Sequence, residues 1–284
     1  MKVERILTGI DFGPATEIVV GYASFFAEVL GASLKLLYVI DYLVTPPAYL
    51  APYMEEEKEA AEKKFTALKK RFEYTGIKVE TEVVVGRLRE SFDVVAKKIN
   101  ANMLVLGFMS HALRRSSSEK LIKGLQIPML VVRGEKAETS RTGPIKIRRI
   151  LCPTDFSEES KNALNLAKEL KDIFSSRLDV IHVFPSHILE KKMKKWKNGD
   201  KAIKELFEQT AARLDKFLSD SDIKGPGIID KGEPENKINS FSRENDIDLV
   251  VMGARGLGFI KGMVIGSVTD AVLKSSPCPV LVMH

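Results

Sequence analysis

The chain has 284 residues, 44% of them hydrophobic, and a formal net charge of +6, which suits two cores of roughly 140 residues each better than one. No run of 18 or more apolar residues is present to span a membrane, and two cysteines without a CxxC spacing make no disulfide framework. Residues 1–141 carry 21 basic and 18 acidic side chains and residues 142–284 carry 23 and 20, an even spread that argues against a dedicated nucleic-acid protein.

The N-terminal MKVERILTGIDF reads directly as a strand, so we expect no signal peptide and a cytoplasmic protein. After the strand RILTGIDF (5–12) come the strand LKLLYVI (34–40), a strongly charged helix at about 54–73, the strand LVLG (104–107) and the strand IPMLVV (127–132). The polar, turn-rich GEKAETSRTGP (134–144) reads as a linker. The order then repeats: strand RILCPTDF (149–156), helix 157–171, strand LDVIHVF (178–184), helix 201–218, short strand GIIDKG (227–232), helix 235–245, strand DLVVMG (248–253), helix 268–275 and strand PVLVM (279–283).

The repetition is a duplication. RILTGIDF matches RILCPTDF at an offset of 144, LVLG matches VVMG at 146, and IPMLVV matches CPVLVM at 151. We divide the chain into a first domain at 1–134, a linker at 135–146 and a second domain at 147–284. Near-continuous apolar strands alternating with helices predict α/β domains, each a doubly wound parallel sheet with helices on both faces. Such sheets bind ligands outside the carboxyl ends of their strands. That rule selects Asp155, Val183 and the stretch from Gly253 onward.

That stretch, VMGARGLGFIKGMVIGSVTD (251–270), holds five glycines. It is neither a Walker A loop nor a GxGxxG fingerprint, because Ser267 follows Gly266 and Lys261 stands where the third glycine would be. Two readings stay open. The glycines and the helix start near Ser267 have the parts of an anion site, with Ser267, Thr269, Arg255 and Lys261 as polar contributors. Alternatively Ser267-x-x-Asp270 is a capping box that only starts a helix. A helix terminus contributes only about 0.3–2 kcal/mol towards holding charge, and a micromolar ligand needs about 8. A nucleotide, with a flat apolar group to bury, therefore suits the loop better than free phosphate.

Gly253-x2-Gly256-x9-Gly266-Ser267 resembles the G-x2-G-x9-G-[ST] loop of nucleotide-binding members of the universal stress protein family, and the likeness extends over the whole tandem chain. The resemblance implies five-stranded sheets of order 3-2-1-4-5. It implies an adenine nucleotide (ATP, or AMP or ADP, with Mg possible beside ATP) and a role as a stress-response sensor or regulator. Asp155 would meet the ribose or adenosine edge, and Val183 would meet adenine through its backbone. Gly253, Arg255 and Gly256 would line the ribose and first phosphates, and Gly266, Ser267, Val268 and Thr269 would hold the phosphate tail. It also implies an intramolecular pseudo-dimer of the two domains, and we expect a homodimer of chains.

The first copy departs from the loop. Asp11, Val39 and Gly107 match, but Ser110 replaces the second glycine, the loop is five residues shorter, and Arg115 and Ser116 align with Gly266 and Ser267. This copy is either structural or binds a nucleotide or a shorter anion through its serines and arginines, arginine taking the place of backbone donors. His182 reads as a core histidine, and Cys152 lacks the setting of a nucleophile. The lysines around Trp196 read as a solvated face. We expect no metal site and no catalytic residues. A slow ATPase or phosphotransferase using Asp155 and Asp270, and a ligand-free scaffold, are the competing functions.

Overall fold

The computed structural model describes residues 2–41, 51–108, 121–122, 124–133, 144–186, 199–257 and 265–284. They form two compact units, Met1–Ile145 and Lys146–His284. In the first unit β1 (Arg5–Gly9), α1 (Thr16–Leu30), β2 (Ser33–Ile40), α2 (Ala51–Lys69), β3 (Val79–Val85), α3 (Leu88–Lys98), β4 (Met103–Phe108) and β5 (Met129–Arg133) follow in order. The second unit holds β6 (Arg149–Pro153), α4 (Glu158–Phe174), β7 (Arg177–Pro185), α5 (Gly199–Ser219), β8 (Ile228–Gly232), α6 (Pro234–Glu244), β9 (Leu249–Gly253), α7 (Ser267–Ser275) and β10 (Val280–Met283).

Within the first unit the strands run β3-β2-β1-β4-β5, all parallel. Within the second they run β8-β7-β6-β9-β10, again all parallel. Both are the expected 3-2-1-4-5 arrangement. The duplication persists at the level of register: Arg5 pairs with Ser33 and Arg149 with Arg177, each residue displaced by 144 from its counterpart.

Apolar strands form because both faces are covered. In β1, Ile6 and Leu7 have no exposed surface, and in β6 neither do Ile150, Leu151 and Cys152. The helices bury one stripe each: Leu164, Ala167 and Leu170 of α4 face inwards, while Glu169, Lys171 and Asp172 remain exposed. Helix ends follow local chemistry. α1 stops at Gly31, whose φ of 65° lets its N–H reach back to Ala27 and Glu28, and α4 starts at Ser157, whose side chain accepts from the Ser160 N–H at 3.2 Å. Among the described residues no helix is long and apolar enough to cross a membrane.

Candidate functional site

The carboxyl ends of β6, β7 and β9 meet at the switch point of the second sheet, where β6 lies between β7 and β9. The β6–β7 ladder closes at Pro153 opposite Ile181, and the Thr154 N–H donates to the Ile181 carbonyl at 2.8 Å. Val183 therefore stands beyond the last pair with β6, at the carboxyl end where doubly wound sheets bind ligands. β7 continues past Val183 to Pro185, and Val183 pairs with Asp230 of β8 on its other side. In the first unit the β1–β2 ladder closes at Gly9 opposite Leu37, leaving Val39 in the same position.

Asp155 follows β6. Its Oδ1 accepts from the Ser157 N–H (3.0 Å) and hydroxyl (2.6 Å), and its Oδ2 accepts from the Leu257 N–H at 2.6 Å. One carboxylate thus ties the first strand to the glycine loop. Between them stands Phe156 at φ 66°, a left-handed backbone that costs a non-glycine residue about 1–2 kcal/mol. Its ring is packed 4.5 Å from the His182 ring and 5.6 Å from that of Phe217, with the Arg213 guanidinium 4.3 Å from its centroid. Contacts of this kind offset the backbone cost. We did not single out Phe156 in the sequence, although its counterpart Phe12 closes the same repeated TDF/IDF ending.

The three motif glycines separate by what a side chain would meet. At Gly253 a Cβ would lie 3.0 Å from the backbone carbonyl carbon of Glu159, so this glycine lets α4 approach β9. At Gly256 a Cβ would lie 2.1 Å from the Asp155 Oδ2, so this glycine makes room for the carboxylate. At Gly266 the nearest atoms would be 3.5 Å away, an ordinary contact, and its φ of −73° suits any residue. Nothing in the described fold calls for a glycine there.

The start of α7 corrects the capping-box reading. Gly266, not Ser267, is the N-cap, and no side chain caps the helix. Asp270 pairs instead with Lys274 at 2.7 Å, one turn along. The first helical bond runs from the Asp270 N–H to the Gly266 carbonyl, which leaves the N–H groups of Ser267, Val268 and Thr269 outside the ladder. Ser267 is exposed at the rim. Thr269 is buried and its hydroxyl donates to the Gly253 carbonyl at 2.9 Å, so only its backbone is turned over to the site, contrary to the expectation that the hydroxyl joins it. Arg255 lies 3.6 Å from Glu159, a pairing that draws its charge towards α4. Lys261 lies outside the described residues.

Neighbouring titratable groups are tuned by burial. His182 is a satisfied strand histidine: its Nδ1 lies 2.8 Å from the Thr154 carbonyl, and burial holds its pKa below the usual range. Burial, with Arg255 nearby, lowers His284 to about 4. The Cys152 thiol is pushed up to about 12 by burial, which leaves no thiolate for nucleophilic work at neutral pH. No group of His, Cys, Asp or Glu suited to hold a metal occurs among the described residues.

The first unit repeats the turn but not the loop. Asp11 Oδ1 accepts from the Gly13 N–H at 2.8 Å and from the Thr16 hydroxyl at 3.3 Å. Gly107 packs against Val19 of α1, where a Cβ would come within 2.9 Å, so it too serves helix approach. Ser110, Arg115 and Ser116 lie outside the described residues, as do the lysines around Trp196. A cavity of about 520 Å³ in this unit is lined by Arg87, Arg89 and Lys97 but also by Asp41, Glu90 and Asp93, so it favours neither sign of ligand.

The chain matches the family model described as "Universal stress protein family" twice, at residues 2–133 and 146–284. It is similar to universal stress protein MJ0577 of Methanocaldococcus jannaschii, 28% identical over 155 residues that cover 49% of this chain and 96% of that one. A universal stress protein of Mycolicibacterium smegmatis is 25% identical over 302 residues, covering 98% of this chain and 96% of its own. The crystal structure of a universal stress protein from Archaeoglobus fulgidus shares the fold, with a TM-score of 0.74 at 22% identity over 99% of this chain and 96% of that one. The chain belongs to the universal stress protein family.

Proposed function

We propose that this tandem universal stress protein binds one adenine nucleotide, in its second unit, and acts as a nucleotide-dependent regulator rather than an enzyme. The observation that carries the reading is the start of α7. Gly266 has no role within the described fold, the helix has no side-chain cap, and the N–H groups of Ser267, Val268 and Thr269 lie outside the helical hydrogen-bond ladder. A phosphate tail would occupy that position, bringing acceptor oxygens and negative charge to the positive end of the helix. The missing side chain at Gly266 allows the backbone to come close.

The family resemblance supports the remaining roles. Asp155 would take the ribose hydroxyls, exchanging its Leu257 bond for them, and Gly256 keeps the space that this requires. The backbone of Val183 beyond the β6 ladder would recognise the adenine edge. Gly253 supports the site through helix packing and Arg255 through a charge shared with Glu159. Mg would arrive with the phosphates of ATP. Asp155 would be engaged with the ribose and Ser157, and Asp270 is paired with Lys274, which weighs against either serving hydrolysis. The first unit, lacking the second and third glycines, would serve as scaffold, and Asp11, Val39 and Gly107 there would keep the frame without the ligand.

The test is ATP and AMP titration with a thermal readout. Binding at micromolar to millimolar concentration should raise Tm by mass action. A chain whose Tm is unmoved by either nucleotide at millimolar concentration contradicts the reading. Light scattering on the same sample tests the proposed homodimer.

A further inference from the structure

We infer that Phe156 is a positioning residue for Asp155, through which α5 and β7 set the carboxylate that closes on the glycine loop. The inference rests on the nucleotide reading only for its effect on affinity; the positioning itself is a property of the chain alone.

Three observations lead there. The left-handed backbone at Phe156, φ 66°, turns the chain so that Ser157 returns both its N–H and its hydroxyl to the Asp155 Oδ1. Glycine adopts that φ without strain, so the backbone alone gives no reason for a phenylalanine. The ring supplies the reason. It packs against His182 of β7 and against Arg213 and Phe217 of α5, so the turn is held from two elements at once. The Phe156 N–H also donates to the Thr154 hydroxyl at 3.0 Å, and His182 is bound to the Thr154 carbonyl, which joins ring and backbone in one cluster.

The first unit repeats the aspartate, the left-handed phenylalanine and an aromatic and a cationic contact to the ring, although Ile10 and Gly13 stand where the second unit has Thr154 and Ser157, and its glycine loop diverges in sequence. Phe12 has φ 54°, its ring lies 5.2 Å from Tyr38 of β2 and 4.9 Å from Phe65 of α2, and Lys64 sits 5.1 Å from its centroid. Asp11 accepts from the Gly13 N–H as Asp155 does from Ser157. The pair of aspartate and ring therefore forms one structural unit, independent of the loop. In the second unit the aspartate passes that order on to Leu257.

Amide hydrogen exchange at Leu257, followed by NMR in the nucleotide-free chain, reads the bond directly. Asp155→Ala should accelerate exchange about tenfold, the worth of a hydrogen bond to a charged acceptor. Phe156→Gly, which keeps the φ and removes the ring, should do the same, and the combined variant should be no faster than Asp155→Ala alone, because the ring acts through the carboxylate. Unchanged Leu257 exchange in Phe156→Gly, or additive effects in the combined variant, would overturn the inference. Should Phe156→Gly fail to fold, Arg213→Gln at an exposed position uncovers one face of the ring. An acceleration of about two- to fivefold is then expected, and no change overturns it. ATP titration of the same variants separates the two claims. Matching losses of affinity in Asp155→Ala and Phe156→Gly support both. Lost Leu257 protection with wild-type ATP affinity retained supports the positioning and removes Asp155 from the nucleotide site.

Discussion

The two units are copies with the same strand order, the same register and the same aspartate–phenylalanine turn, yet they differ at the loop after the fourth strand. The comparison separates scaffold from site. The glycine at or next to the end of the fourth strand is present in both, as Gly107 and Gly253, and in both a side chain would strike the first helix of its unit. It belongs to the fold. The second and third glycines occur only in the second copy, and there Gly256 accommodates a carboxylate while Gly266 has no use within the described residues. On the proposed reading they belong to the nucleotide site.

The largest effect should come from Gly256→Ala. The new methyl would lie 2.1 Å from the Asp155 Oδ2, so either the loop or the carboxylate must move. We expect ATP affinity to fall by about a hundredfold, or about 3 kcal/mol, in a calorimetric titration. Gly266→Ser sharpens the comparison, because stability and binding should move in opposite directions. Serine is a better N-cap than glycine by a few tenths of a kcal/mol, and Gly266 already has the extended backbone of a cap. Its hydroxyl would take the amides that we propose hold phosphate. Tm should rise slightly while ATP affinity drops about tenfold. A parallel rise in both would return the helix start to a purely structural role.

A smaller difference concerns acid. The pKa values of His182 and His284 are lowered in the fold, so the folded protein stays neutral where the unfolded chain takes up protons. Their contribution is complete above the ordinary histidine value of about 6.5 and is lost as pH falls from there towards the folded value, about 4 for His284. The first copy has Tyr38 and Arg133 at the matching positions, and neither changes charge in that window. The combined variant His182→Tyr, His284→Gln should therefore show a flatter dependence of Tm on pH between about 7 and 5 than the parent chain. The smallest effect is in β1. Thr8 is fully buried, and its hydroxyl has no partner among the described residues, where the second copy has Cys152. Thr8→Val should stabilise the first unit by about 1 kcal/mol in urea unfolding, with ATP binding unchanged.

Much of the fold was legible because duplication presents each strand twice: RILTGIDF and RILCPTDF identify β1 and β6 together. Helix α5 was legible from its periodicity to within two residues at its start and one at its end, since the helix runs from Gly199 to Ser219. The site was legible as a spacing but not as a division of labour. Ser267 and Asp270 have the letters of a capping box, yet the helix begins one residue earlier and Asp270 turns to Lys274. The hydroxyl of Thr269 and the charge of Arg255 looked available for phosphate, but they meet Gly253 and Glu159, partners brought close only by the sheet. Phe156 went unremarked because a positive φ on a phenylalanine has no sequence signature. Its repetition at Phe12 was the available clue.

The most direct test of the central claim is the stoichiometry of ATP binding to the intact chain by equilibrium dialysis, repeated with Gly256→Ala. One nucleotide per chain, lost on that substitution, is the predicted result. Two per chain, or one that survives Gly256→Ala, would contradict the assignment of the ligand to the second unit.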